Sequence, residues 1–221
     1  MMDLPVATAS HYECQVPRNY KAEKVLKEKI YVKMKRLDGW CPETKASFLM
    51  DLIFNHRPEI VVEVGVWGGK SLVPMAEAIK YNHRGIVYGI DPWKSEASVA
   101  GFNDENTKWW GRVDHESVMK SFLSSLKEYR LNEFVNVIRA TSVDCQSIEN
   151  IGLLHIDGNH SEDSALFDVK KWVPLVKQGG FVIFDDLDWP QTEKAVEWLD
   201  DHCQRITTFF ETNAWGIWIK L

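Results

Sequence analysis

The chain has 221 residues, enough for one large domain with a sizeable core, and its 45% hydrophobic and 26% charged residues are ordinary for a globular protein. A net charge of −6 argues against a protein that grips nucleic acid, which needs a basic face, and no apolar run approaches the ~20 residues that cross a bilayer. The cysteines Cys14, Cys41, Cys145 and Cys203 form no CxxC pair and no zinc spacing, so they read as reduced thiols of a cytoplasmic protein.

Residues 1–18 are mixed and polar, lack the basic and apolar regions of a signal peptide, and read as an arm. The spacing of Val25, Leu26, Ile30 and Met34 predicts an amphipathic helix over Lys21–Leu37, its lysines forming a solvated face. Residues 1–40 are thus expected to be an extension, and 41–221 the main domain. Pro42-Glu43 opens a second helix that runs through Phe48, Leu49, Leu52 and Ile53 to Asn55. Short apolar runs then alternate with helices. A strand over Ile60–Val64 is followed by a glycine turn and a helix from Ser71 to Tyr81. A second strand, Gly85–Ile90, ends at Asp91. The polar stretch from Lys94 to His115, carrying Trp109-Trp110, is long for a connection and reads as a lid. A helix over Val118–Tyr129 precedes strands at Phe134–Ile138 and Ile151–Ile156. The helix Ser164–Val176 leads through Gly179-Gly180 to a fifth strand, Phe181–Phe184. After a helix over Thr192–Asp201 come two last strands, near Ile206–Phe210 and Trp215–Ile219.

Such alternation predicts an α/β fold: a Rossmann-like, mostly parallel seven-stranded sheet with helices on both faces. The last two strands are too close in sequence for a crossover and should form an antiparallel hairpin. In open sheets of this kind ligands bind beyond the carboxyl ends of the strands, so those ends give the candidate site.

The first strand runs into Glu63-Val64-Gly65-Val66-Trp67-Gly68-Gly69-Lys70-Ser71, where glycines permit a tight turn and the next helix points its positive end at a ligand. It reads ExGxxGG, neither the GxGxxG of a dinucleotide site nor a P-loop, and its acid suits a cationic amino-acid moiety better than a phosphate. The second strand ends in Asp91-Pro92-Trp93, a carboxylate placed for a ribose diol. The third runs into Arg139-Ala140-Thr141-Ser142, small residues suited to an adenine slot. The fourth and fifth end in Asp157-Gly158-Asn159-His160 and Asp185-Asp186. Three carboxylates at adjacent strand ends repel unless a cation or proton lies between them, and hard oxygen ligands suit Mg2+, Mn2+ or Ca2+ better than zinc. His160 could take a proton near neutral pH. Turn and cap chemistry is the bland alternative for each of these residues.

With these residues in hand, the chain resembles the class I S-adenosylmethionine-dependent methyltransferases over residues 40–220. It is most similar to the metal-dependent O-methyltransferases of the macrocin, mycinamicin and novobiocin type. The stretches Val62–Ser71, Gly89–Trp93 and Leu154–Ser161, with Asp168-Val169, Gly179-Gly180 and Asp185-Asp186, carry the likeness. The resemblance implies that Glu63, Gly65, Gly68, Gly69 and Ser71 hold the methionine side of S-adenosyl-L-methionine and that Asp91 binds its ribose. Thr141 and Ser142 would line its adenine, with Asp157 also beside the cofactor. It further implies a divalent metal, Mg2+ foremost, on Asp157, Asp185 and Asp186, with His160 and Asp157 catalytic toward a hydroxyl of a small-molecule acceptor. The first 40 residues match nothing in the family and would lie on the acceptor side. No nucleic acid or membrane partner is expected, and a homo-oligomer is compatible with the sequence. Two rival readings are an NAD-dependent oxidoreductase, against which the glycine pattern and terminal hairpin count, and a non-catalytic protein that keeps the fold.

Overall fold

The computed structural model describes residues 18–101, 105–211 and 213–221; the arm and leader readings at residues 1–17, Cys14 included, lie outside them. Seven strands form one sheet: β1 Ile60–Val64, β2 Ile86–Asp91, β3 Val135–Arg139, β4 Ile151–Ile156, β5 Val176–Phe184, β6 Gln204–Phe210 and β7 Ala214–Ile219. Their order is β3-β2-β1-β4-β5-β7-β6. The first five are parallel, while β7 runs antiparallel to both β5 and β6. The terminal hairpin expected from the short 211–213 connection is therefore present, and the whole is the mostly parallel, Rossmann-like sheet that the strand and helix alternation predicts.

Eight helices are described: α1 Tyr20–Met34, α2 Glu43–His56, α3 Leu72–Asn82, α4 Ser95–Ser98, α5 Glu105–Trp110, α6 His115–Glu128, α7 Glu162–Trp172 and α8 Glu193–His202. Side chains alternate across a strand, so each strand feeds two cores. Val61, Leu153, Ile183 and Ile217 point to one face, where α1, α2, α3 and α6 bury Ile30, Leu49, Met75 and Phe122. Val62, Leu154, Val182 and Trp218 point to the other, beneath α7 and α8 with Val169, Trp172 and Leu199. The helix expected at the start of the chain thus packs into the first of these cores through Ile30 and Met34. No helix among the described residues is long and apolar enough to cross a membrane.

The boundaries around β5 differ most from the sequence reading. The helix expected to reach Val176 stops at Trp172 and passes into a 3-10 turn at Val173–Leu175. Pro174 explains this, because its ring excludes the carbonyl four residues back and it has no N–H to donate. β5 consequently starts at Val176 and carries Gly179-Gly180 inside it, with a register irregularity opposite Ile151 and Leu153. The stretch Lys94–His115, expected as one polar connection, contains α4 and α5.

Candidate active site

The parallel register aligns four strand ends. Val64 pairs with Ile90 on one side and Ile156 on the other, and Ile156 pairs with Phe184. One residue further on lie Gly65, Asp91, Asp157 and Asp185. The ladder persists there, with Gly65 N–H donating to Ile90 O at 2.9 Å, Asp157 N–H to Val64 O at 2.8 Å and Asp185 N–H to Ile156 O at 3.1 Å. Backbone pairing thus fixes the rim of the site before any side chain acts. A cavity of about 620 Å³ opens over it. Gly65, Ser71, Asp91, Thr141, Ser142, Asp157, His160, Asp185 and Asp186 line it; Glu63, Gly68 and Gly69 do not.

The glycine loop divides its labour. Gly65 has φ +87°, and a β-carbon there would lie 2.0 Å from Asp157 O, so only glycine lets β1 and β4 end this close together. The expectation that Gly68 and Gly69 contact a cofactor gives way to packing. A β-carbon at Gly68 would meet Asp38 O at 2.5 Å, and one at Gly69 would enter the Phe122 ring at 2.4 Å. Glu63 likewise lies outside the cavity lining. Its side chain is wholly buried, accepts hydrogen bonds from Ser71 Oγ and faces His155 Nδ1 at 2.8 Å. Two-residue periodicity sets this arrangement, since Glu63 and His155 are register partners on the face that α2 covers.

Asp91 accepts three backbone hydrogen bonds, from Val66 N at 3.0 Å, Trp67 N at 2.9 Å and Trp93 N at 2.7 Å. Burial pushes its carboxyl up, and those three N–H groups oppose the rise. It clamps the β1–α3 loop onto β2 while still lining the cavity. Thr141 Oγ1 donates to Asp144 Oδ2 at 2.7 Å. Ser142 Oγ donates to Asp168 and accepts from Trp172 Nε1 at 2.8 Å. Burial pushes the Asp168 carboxyl up to about 6 against that Ser142 hydrogen bond.

The acidic residues do not converge as one triad. Asp185 carries the ammonium of Lys45, a buried residue of α2, and has His155 Nε2 at 3.4 Å. Asp186, held at φ +54°, faces His160 Nε2 at 2.6 Å, and the same nitrogen is 3.7 Å from Asp157. Two three-residue groups result, each with ligand atoms within 4.8 Å of one another: His155, Asp157 and Asp185, and Asp157, His160 and Asp186. The metal set expected on Asp157, Asp185 and Asp186 is thus split, because Lys45 takes one carboxylate and His160 another.

Electrostatics follow the same division. Burial raises Asp157 to about 8, and the Asp185 charge adds to the rise over the opposing Lys45 and the histidines. Burial also opposes the charge on Asp185, yet Lys45 and His155 hold it well below the carboxylate range. His155 loses by burial and by Lys45 but is raised to about 9 by Asp185 and Glu63. His160 is raised despite burial, chiefly by its bond to Asp186.

An aromatic group lines one part of the cavity: Trp40, Trp67, Trp109 and Trp110. Trp67 has its ring centroid 4.9 Å from Trp110, 6.2 Å from Trp109 and 6.5 Å from Trp40. These rings come from the loop before α2, the glycine loop and α5, so they fasten the α4–α5 segment over the site. Asn159 ties the same segment to the β4 end, donating from Nδ2 to Ala97 O at 2.9 Å and Ala100 O at 3.0 Å. Sequence reasoning missed Lys45, and it quoted His155, Asn159 and Asp168 within longer stretches without giving them a role. His155 had a signal: it lies two residues before Asp157 and so shares its face.

A family described as a methyltransferase domain matches residues 62–187, more than half of the chain. An uncharacterized protein, R132, of Acanthamoeba polyphaga mimivirus is 27% identical over 181 residues, 80% of this chain and 73% of that protein. Among solved structures, the O-methyltransferase NovP superposes with a TM-score of 0.65 at 20% identity, covering 91% of this chain and 97% of its own. TomG of Streptomyces achromogenes, an O-methyltransferase of tomaymycin synthesis solved with S-adenosylmethionine, gives 0.61 at 14% identity over 94% and 92%. The S-adenosylhomocysteine-bound methyltransferase PaMTH1 of Podospora anserina gives 0.63 at 12% identity over 93% and 98%. At such identities the structural likeness shows a shared fold.

Proposed function

Since the chain belongs to the methyltransferase-domain family, we propose that it moves a methyl group from S-adenosylmethionine to a hydroxyl oxygen of a small acceptor. One observation carries the reading: Gly65, Asp91, Asp157 and Asp185 end four strands in register beneath one cavity, with His160 beside Asp157. The cavity of about 620 Å³ suits a cofactor with a small second ligand better than a macromolecule. The O-methyltransferase names of NovP and TomG support oxygen as the acceptor atom.

In this reading the methionine part lies against Gly65 and Ser71, and Asp91 keeps acceptor capacity for the ribose diol beyond its three backbone bonds. Thr141 and Ser142, backed by Asp168, border the adenine. Asp186 fixes one nitrogen of His160, which leaves the other ring nitrogen to take the acceptor's proton. The freed oxygen forms a bond to the sulfonium methyl carbon as the carbon–sulfur bond breaks, and sulfur keeps the electron pair as S-adenosylhomocysteine. Positioning two bound reactants supplies most of the acceleration.

A divalent cation has a narrower site than the sequence suggests. Asp186 Oδ1 is buried with no partner among the described residues, an orphaned acceptor that a cation would satisfy. With Asp157 it makes a pair of carboxylates suited to Mg2+ or Mn2+, with His160 beside the pair as base and not as ligand. Held there, such an ion would supply Lewis-acid stabilisation of an acceptor oxyanion.

Calorimetric titration with S-adenosylhomocysteine and with NAD tests the reading. Saturable binding of S-adenosylhomocysteine alone is expected. Binding of NAD alone would make the protein an oxidoreductase, and S-adenosylhomocysteine binding with no methyl transfer from S-adenosylmethionine to any hydroxyl acceptor would leave a non-catalytic fold.

A further inference from the structure

Lys45 sits in the first turn of α2 with its side chain 3% exposed and its ammonium on Asp185 Oδ2. An ammonium has three N–H donors, and Asp185 is the one hydrogen-bond acceptor it has among the described residues. The Trp215 ring, its centroid 5.8 Å from Nζ, offers a π face and no lone pair. Burial works against this charge, and the carboxylates, Asp185 foremost, hold it protonated with donors to spare.

We propose that Lys45 is the resident cation of this acidic rim: its ammonium takes the place of a divalent ion at Asp185 and confines any metal to the Asp157 and Asp186 carboxylates. The inference deepens the methyl-transfer reading, on which its meaning for catalysis rests. A dication and an ammonium cannot share Asp185, because like charges in a buried pocket repel strongly. Removing the ammonium therefore frees Asp185 as a further metal donor beside the carboxylate already in its reach, Asp157. Lys45 acts here as a positioning residue. It sets which carboxylates are available and keeps the rim charge-balanced by the chain itself.

The probe is Mn2+ alone, followed by the loss of its free electron paramagnetic resonance signal on the full-length protein. Lys45→Gln and Lys45→Met are expected to bind Mn2+ at least about tenfold tighter than wild type, as added carboxylate ligands tighten hard-ion sites. Lys45→Arg, which keeps the charge, should bind as wild type does, and adding Asp185→Asn to Lys45→Met should abolish the gain. Should Lys45→Met fold poorly, a Mn2+-dependent rise in its melting temperature that exceeds the wild-type rise reads the same effect. Wild type binding Mn2+ as tightly as Lys45→Gln, or a gain that survives Asp185→Asn, overturns the proposal. S-adenosylhomocysteine binding is measured in parallel on wild type: its absence would overturn the methyl-transfer reading and leave the Mn2+ comparison standing.

Discussion

His155 Nδ1 lies 2.8 Å from Glu63 Oε1 across the β1–β4 pairing, with both side chains wholly buried. The pair belongs to a chain of polar groups running from Lys45 through Asp185, His155 and Glu63 to Ser71, in which Lys45, Asp185 and Ser71 line the cavity and the two middle members do not. The motif's acid therefore serves the site indirectly, by holding His155 charged and Ser71 in place. Removing one member of a buried pair leaves the other uncompensated, at a cost of about 3 kcal/mol. Glu63→Gln should lower unfolding stability by that amount in urea titrations. The double variant Glu63→Leu with His155→Leu should cost less than the two single leucine variants together. Simple additivity would mean that the two residues do not interact.

Asp168 and His155 give the pH dependence of stability two windows of the same sign, and Asp157, raised to about 8, adds to the loss between them. Asp168 ionises in the unfolded chain at 3.8 but at about 6 when folded, so the folded state is favoured in acid and its advantage fades as pH rises from 3.8 to 6. His155 is raised from 6.5 to about 9, so its contribution is complete below 6.5 and is lost as pH rises through 9. Asp168→Asn should flatten the lower window, leaving the variant more stable relative to wild type at pH 7 than at pH 4. His155→Gln should flatten the upper one. Unfolding midpoints across pH 4 to 10 check both, and a wild-type stability that rises between 7 and 9 would contradict the charge assigned to His155.

At Gly65 the backbone makes a sharp demand. A β-carbon 2.0 Å from Asp157 O cannot be relieved by rotating a side chain, since both groups are held in the ladder. Gly65→Ala should therefore cost at least about 3 kcal/mol, or move β1 and β4 apart and abolish cofactor binding. Gly179→Ala is the control. Its φ is +74° but nothing lies within 4 Å, so only the left-handed backbone penalty of about 1 kcal/mol applies. Thermal unfolding compares the two.

What could be read from the chain is what local pattern and parallel pairing decide. Asp91, Asp157 and Asp185 were legible as strand ends because short apolar runs stop there, and ligands gather at such ends in open sheets. The destination of each carboxylate was not. Glu63 is two residues before Gly65 and faces inward, and only the β1–β4 register brings it to His155. Lys45 lies far from Asp185 in sequence, and the packing angle of α2 over the sheet, which no periodicity reveals, carries its ammonium to the rim. Gly68 and Gly69 look like cofactor glycines from spacing alone, yet Asp38 and Phe122 are what they accommodate. Pro174 is the opposite case, a local signal sufficient to end α7 early.

The role given to His160 separates chemistry from binding. A general base contributes about 10²- to 10⁴-fold to rate, and His160 has no place among the groups assigned to the cofactor. His160→Gln should lower methyl transfer by that factor while S-adenosylhomocysteine affinity stays within about threefold of wild type, since a base acts on rate rather than on cofactor binding. Asp186→Asn, which weakens the contact at 2.6 Å, should lower the rate by a smaller factor. A parallel loss of cofactor affinity in His160→Gln would make the residue a binding group instead.

Closure over the site depends on Asn159. Its Nδ2 reaches Ala97 O at 2.9 Å, Ala100 O at 3.0 Å and Ser98 O at 3.4 Å, so one side chain satisfies the carbonyl end of α4. The neighbouring Ser161 N–H donates to Asn159 Oδ1 at 2.8 Å, which orients the amide for this task. Asn159→Ala removes both functions, and each lost hydrogen bond is worth about 1 kcal/mol. Because the Trp40, Trp67, Trp109 and Trp110 rings still hold the other side of the segment, the variant should keep its fold but open more often. Trypsin should then cleave at Lys94, Lys108 or Arg112 roughly tenfold faster than in wild type, the factor that 1.4 kcal/mol of lost closure gives when opening is rapid. Saturating S-adenosylhomocysteine should restore part of the protection, because a ligand that fills the cavity adds contacts only the closed form can make. Equal cleavage rates in the two proteins would assign closure to the tryptophans alone.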